Sequence, residues 1–246
     1  MKTGTVVAVI PAGGSGQRME TVTPKQFMLL GGIPLLLHCL QVFERCESIS
    51  QVILVVPKDE RERTLSEVVE RHGIKKVLKI VAGGATRQES VYHGLKETDP
   101  ETEIVVIHDA VRPFVTEDLI ERSIGTARDI GGAIVAVRMK ETVKQVGPDG
   151  HILRTVDRSQ LWLAQTPQTF RRALLMEGYR KAESDGFHAT DEAVLLERLG
   201  HKIVVVPGRW DNIKITTPED FQIAEAILAG RRDASRGGMT ERGLQA

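Results

Sequence analysis

Residues 6–19, VVAVIPAGGSGQRM, pass from an apolar run into glycines and close on Arg18, and Lys25 follows in PKQF. A glycine-rich turn at the end of a first strand lies where open α/β sheets bind ligands. The dinucleotide fingerprint G-x-G-x-x-G is incomplete here, because Gly14-Ser15-Gly16 is followed by Gln17, Arg18 and Met19. The Gly-Lys-Ser/Thr of a Walker A loop is absent as well. What is left is a backbone rich in free N–H groups beside two cations. That combination suits a polyphosphate, a reading the loop favours over a tight turn with two solvated side chains.

Further along, single residues stand at chemically useful places. Asp109 ends the apolar run EIVVIHD, where a carboxylate can hold a ligand or cap the next segment, and Arg112 follows three positions later. GGATRQES offers close-approach backbone at Gly83 and Gly84 and a hydroxyl at Ser90, or simply a strand-to-helix turn. In DNIKIT, extended backbone would turn Ile213 and Ile215 to one side and Asn212, Lys214 and Thr216 to the other, so the Lys214 ammonium points away from the core. No Ser–His–Asp or Cys–His set occurs at a recognisable motif. His38 and His108 are read as structural, and Cys39 and Cys46, without a metal-ligand pattern around them, as reduced, packed thiols.

These residues need elements to carry them. TVVAVI, VILVVP, KVLKIV, EIVVIHD, AIVAV and KIVVVP are apolar throughout, as strands buried on both faces are. Between them LLLHCLQVFERC, DERERTLSEVVERHG, TRQESVYHGLKET and TEDLIERSIGTARDIGG have helical spacing, with caps expected at Asp59, Thr116 and Thr217, the last ahead of Pro218. The alternation predicts an α/β fold: a Rossmann-like, mostly parallel sheet with helices on both faces. KETVKQVGPDGHILRTVDRS, residues 140–159, departs from it as two polar strands around Pro148-Asp149-Gly150, a protruding β-hairpin at about 139–160 that reads equally as an arm lying on a partner or as a plain surface hairpin. GRRDASRGGMTERGLQA has almost nothing to bury, and 230–246 is expected to be disordered.

Composition narrows the class. Among 246 residues, 33 Lys and Arg balance 33 Asp and Glu, so no global field recruits nucleic acid or an anionic membrane and any anion site must be built locally. No run approaches the length of a membrane span, and the start lacks the regions of a signal peptide. The expectation is a soluble cytoplasmic protein.

PAGGSGQRM followed by PKQF resembles the signature of transferases that join a nucleotide to a sugar or polyol phosphate. VVIHDAVRP and GGATRQES narrow this, and with TVDR, TPQTF, TDEA and DNIK in that order residues 5–229 resemble the 2-C-methyl-D-erythritol 4-phosphate cytidylyltransferases. Two small departures affect loop shape and no charge: Ala12-Gly13-Gly14 for Ala-Ala-Gly, and Asp109-Ala110-Val111-Arg112 for Asp-Ala-Ala-Arg.

The resemblance implies one nucleotide-diphospho-sugar transferase-like domain over residues 1–229. Its reaction is attack by the acceptor phosphate on the α-phosphorus of CTP, releasing pyrophosphate. It implies catalytic roles for Arg18, Lys25, Arg158 and Lys214, a cytidine pocket of Ala12, Gly13, Gly14, Gly83 and Ser90, and acceptor contacts from Asp109, Arg112, Thr142 and Thr190. Magnesium is expected mainly on the CTP phosphates, with no residue assigned as its ligand and Asp109 reaching it through water as the alternative. Thr142 on the arm would enter a neighbouring subunit's site, making the enzyme a homodimer. A ribitol 5-phosphate cytidylyltransferase is the alternative, sharing the nucleotide half.

Overall fold

The computed structural model describes residues 4–13 and 24–242, with side chains as far as 233. In chain order the strands are β1 (Val6–Pro11), β2 (Leu29–Leu30), β3 (Ile33–Pro34), β4 (Gln51–Val56), β5 (Val77–Ala82), β6 (Ile104–Ile107), β7 (Gly132–Arg138), β8 (Val143–Val146), β9 (Ile152–Val156), β10 (Trp162–Arg171) and β11 (Val204–Pro207). The helices are α1 (Leu35–Arg45), α2 (Arg61–Arg63, continued by a π-helical stretch Thr64–Glu70), α3 (Arg87–Lys96), α4 (Glu117–Ile130), α5 (Arg172–Asp185), α6 (Glu192–Glu197) and α7 (Pro218–Arg242).

Seven strands form one sheet in the order β11-β7-β10-β6-β1-β4-β5. All neighbours run parallel except β10, which is antiparallel to both β6 and β7. Alternate residues of each parallel strand serve opposite faces. Val6, Ala8 and Ile10 join the cluster covered by α1 and α4; Val7 and Val9 join the cluster covered by α3, α5 and α6. Burial on both sides is why these strands read as unbroken apolar runs. From β1 the chain moves outward through β4 and β5, then returns to β6 on the other flank of β1. The carboxyl ends of β1 and β6 therefore flank a topological switch point, the usual crevice for a ligand in such sheets.

All six strands read from the sequence are present. The sequence reading missed β10, a central strand carrying Pro167. Its pairing with β7 shifts register between Ala164 and Gln168, and a proline is tolerated at such an irregularity.

Two of the three expected caps hold. The Thr116 hydroxyl accepts from Leu119 N, and Thr217 accepts from Asp220 N while Asp220 accepts back from Thr217 N, a reciprocal pair. Asp59 is not a cap. The chain enters α2 through the short turn Lys58–Glu60, and Glu60 precedes the helix without a side-chain bond.

β8 and β9 form a separate two-stranded hairpin, turning at Gly150 with φ +81°. Cys39 and Cys46 are free and buried. Past residue 230, where composition predicted disorder, α7 continues to Arg242. Its anchoring is polar: Arg231 donates to the Phe114 carbonyl and to Asp211, and Arg232 to the Gly31 carbonyl. Leu228 and Ala224 of α7 pack with Leu30, Leu35, Phe114 and Ile215 in a third apolar cluster.

Candidate active site

On the nucleotide side, the ends of β1, β4 and β5 converge. Ala12 N donates to the Val55 carbonyl at 2.7 Å and Gly83 N to the Val56 carbonyl at 2.8 Å. Ser90, in the first turn of α3, is buried; its hydroxyl donates to the Thr86 carbonyl at 2.9 Å and accepts from Gly84 N at 3.1 Å. A Cβ on Gly83 would lie 2.9 Å from Ser90 Oγ, and one on Gly13 3.9 Å from the same oxygen. Glycines thus let two backbones approach one hydroxyl, which gathers backbone and side-chain polar groups at the ends of β1 and β5. Gly14 and Arg18 lie outside the described residues.

Lys25 occupies a short 3₁₀ turn before β2 and is 8% exposed. Its ammonium donates to the Thr216 carbonyl at 2.6 Å across 191 residues of chain. Two residues before Thr216 stands Lys214, whose ammonium is 2.8 Å from Asp109 Oδ2. The segment is seated by Ile215 N on the Val111 carbonyl at 2.9 Å. Ile215 is buried and Ile213 partly so in the third cluster, while Lys214 faces the site, as the alternation predicted. Asn212 is buried beneath it, donating to the Thr166 carbonyl at 2.9 Å and accepting Arg112 Nη1 on its own carbonyl at 2.8 Å.

Asp109 follows β6 and is nearly buried. Arg87 Nε reaches its Oδ1 at 2.9 Å, and Arg112 Nε stands 3.9 Å from Oδ2, the oxygen that Lys214 holds. Burial alone would raise the carboxyl pKa, but Arg87, Lys214 and Arg112 outweigh it and hold the group well below the carboxylate range. His108 fixes the loop from below. One ring nitrogen bonds Thr166 Oγ1 at 2.9 Å and the other the Arg112 carbonyl at 3.1 Å, while Asp109 N donates to the same threonine hydroxyl. Burial pushes the imidazole down to about 4, so it is neutral near pH 7.

Sequence reasoning missed Arg87, although GGATRQES contains it. Its Nη1 reaches Glu192 Oε1 at 2.7 Å, so one guanidinium bridges Asp109 and a second buried carboxylate. Glu192 was legible only as part of TDEA. Nothing in local sequence tells a buried acid from a solvated one at the start of a helix.

Against known proteins, residues 6–230 match the family model IspD, 2-C-methyl-D-erythritol 4-phosphate cytidylyltransferase. The chain belongs to the IspD family. A relative of that name from Syntrophus aciditrophicus is 49% identical over 223 residues, covering 91% of this chain and 95% of the relative. One from Geobacter metallireducens is 49% identical over 226 residues, covering 91% and 97%. Among solved structures, 4-diphosphocytidyl-2C-methyl-D-erythritol synthase from Anaerococcus prevotii superimposes with a TM-score of 0.81 at 35% identity, over 92% of this chain and 99% of that one. The Thermus thermophilus 2-C-methyl-D-erythritol 4-phosphate cytidylyltransferase gives 0.74 at 31% identity, over 90% and 98%. As an IspD cytidylyltransferase the chain moves CMP from CTP to 2-C-methyl-D-erythritol 4-phosphate, releasing pyrophosphate.

Of the residues that the IspD resemblance singled out, the fold brings Arg112 and Lys214 to Asp109 and ties Lys25 to Thr216, two residues from Lys214, while Gly13 and Gly83 lie next to Ser90. Arg158 is not among them. It is exposed at the base of the hairpin and donates to the Lys140 carbonyl; among the described residues it forms no ion pair with Asp109. Thr142, at the foot of β8, is exposed, as is Thr190, just before the Asp191 cap of α6.

Proposed function

We propose that the cleft between Lys25 and Asp109 holds the two phosphorylated substrates in line, with protein cations doing the catalysis. The observation that carries this reading is the pairing of Lys25 with the Thr216 carbonyl beside Lys214, which joins cations from distant chain segments at one switch point. Lys25, with Arg18, serves the triphosphate. Lys214 and Arg112 serve the acceptor phosphate, and Asp109 orients them and meets the polyol. Thr190 and Arg158 supply the outer contacts of the acceptor.

A phosphate monoester is largely dianionic at neutral pH, its second pKa being near 6, so the nucleophile needs no general base. Oxygen of the acceptor phosphate forms a bond to the α-phosphorus as the bond to pyrophosphate breaks. Charge builds on the α-phosphoryl oxygens and the leaving group, where Lys25 and Lys214 stabilise it. The pocket of Gly13, Gly83 and Ser90 selects cytosine by its edge.

Magnesium fits as a companion of the nucleotide. Among the described residues no three His, Cys, Asp or Glu side chains converge, and both Asp109 oxygens already hold cations. In this reading phosphate oxygens and water are its main ligands, and bound there it would neutralise charge on the triphosphate.

The hairpin arm is read as reaching a second copy of the chain. Val146, Ile152 and Leu153 are 54%, 63% and 64% exposed on a two-stranded element with little stability of its own. A partner's surface would cover them and bring Thr142 and Arg158 to that partner's cleft. No described helix is long and apolar enough to cross a membrane; with the even charge balance, this supports a cytoplasmic enzyme.

The test offers the purified protein CTP and magnesium with either 2-C-methyl-D-erythritol 4-phosphate or ribitol 5-phosphate and times pyrophosphate release. Preference for the first is expected. Faster turnover of ribitol 5-phosphate would overturn the acceptor assignment.

A further inference from the structure

Glu192 is one of the most deeply buried charged side chains of the fold, with its side chain 2% exposed. Burying a carboxylate is costly unless close partners offset the lost water. Oε1 has two, Arg87 Nη1 at 2.7 Å and the buried Tyr179 hydroxyl at 3.1 Å. Oε2 has no hydrogen-bond partner.

The backbone beneath it is clamped. Gln168 Oε1 accepts from Glu192 N and Ala193 N, at 3.1 and 3.3 Å, while its amide donates to Asp191 at 2.8 Å. Gln168 lies in β10 opposite Ile107, two residues before Asp109. The same strand therefore fixes both ends of the Asp109–Arg87–Glu192 chain.

We propose that Glu192 is a positioning residue for the acceptor. It draws one arm of Arg87 away from Asp109 and so leaves Asp109 Oδ2 to Lys214 and the incoming polyol phosphate. The inference rests on the reading of Asp109 as an acceptor contact.

The electrostatics give the direction. Three cations (Arg87, Arg112 and Lys214) share two carboxylates, Asp109 and Glu192. With Glu192 neutral, Arg87 has one anionic partner left and turns both nitrogens toward it, as a planar guanidinium does with a carboxylate. Asp109 is then more fully neutralised by Arg87, its hold on Lys214 loosens, and the acceptor's place shifts. A small displacement of positioning groups costs much in rate, up to about 100-fold per ångström.

The experiment compares Glu192→Gln, Tyr179→Phe, Asp109→Asn and Arg87→Ala with the parent, measuring KM for each substrate, kcat and thermal unfolding. In Glu192→Gln the KM for 2-C-methyl-D-erythritol 4-phosphate is expected to rise about 10-fold, with the KM for CTP unchanged. In the Arg87→Ala background the same substitution should add little, since the two act as one unit. Tyr179→Phe keeps the charge and removes one partner, so it should raise the acceptor KM in the same direction by less. This variant also answers the question should Glu192→Gln not fold. An unchanged acceptor KM in the folded variants would overturn the proposal, as would equal rises for both substrates, the mark of general loosening. Asp109→Asn separates the two readings. If it raises the acceptor KM and Glu192→Gln does not, the inference alone fails; if neither does, the role given to Asp109 fails with it.

Discussion

The Lys214 ammonium stands 2.8 Å from Asp109 Oδ2, on a carboxylate whose other oxygen Arg87 holds at 2.9 Å. Asp109 therefore keeps a half-buried charge partner without Lys214, whose side chain is 39% exposed. Lys214→Ala should unfold within a few degrees of the parent while kcat/KM falls about 10²- to 10³-fold, the scale of losing one preorganised charge donor. Parallel melting curves and turnover rates check this. Loss of fold in step with activity would count against it.

Lys25 should behave differently. It is buried and holds the Thr216 carbonyl, so Lys25→Met removes a charge from the reaction and leaves a buried acceptor with a lost donor. A stability loss of about 1–3 kcal/mol is expected with the rate defect. Urea unfolding alongside kinetics separates the two effects.

Gly83→Ala tests the base pocket. The added methyl would meet Ser90 Oγ at 2.9 Å, so either the hydroxyl or the backbone must shift. Calorimetric titration with CTP should show weakened binding, with acceptor affinity little changed. Undiminished CTP affinity would remove Ser90 from the pocket.

His108 gives a pH signature. Its pKa is pushed down by burial from 6.5 to about 4, so the unfolded chain takes up the proton before the folded one. The stability this residue confers is whole above about 6.5 and is lost progressively as pH falls toward 4, roughly 3 kcal/mol across the window. Asp109, held low in the folded state, adds a loss in the same direction at still lower pH. Chemical denaturation from pH 7 to 4.5 should show falling stability, with a flatter slope in His108→Asn. A slope identical in both would show that His108 carries no such linkage.

For the arm, size-exclusion chromatography should give a dimer. Leu153→Asp, on an exposed apolar position, should shift it toward monomer and reduce activity. Thr142→Ala should lower turnover with the dimer intact. A fully active monomer would remove the hairpin from the mechanism.

How much of this was legible in sequence depended on whether a residue's environment is local. The parallel strands announced themselves because burial on both faces leaves unbroken apolar runs. β10 did not, since Gln165, Thr166 and Gln168 are buried polar residues bonded to Asn212, His108 and the start of α6; their partners lie far off in sequence. Lys214 was readable from the alternation around Ile213 and Ile215. Asn212, on the same side by that alternation, proved to be buried support. Arg87 and Glu192 escaped notice for the same reason, as a charge pair 105 residues apart leaves no periodic trace. Arg158 was singled out through the resemblance alone, and within the chain it stays at the hairpin base, bonded to the Lys140 carbonyl.

The last helix carries a temporal consequence. Lys25 emerges early in synthesis, but the carbonyl that holds it belongs to Thr216, and α7 secures that segment through Asp220 and Arg231, while Glu225 and Arg232 tie the helix to Gly31. Until synthesis has passed Thr216, 191 residues after Lys25, that long-range contact cannot form, so the Lys25 side chain waits for a late segment to dock.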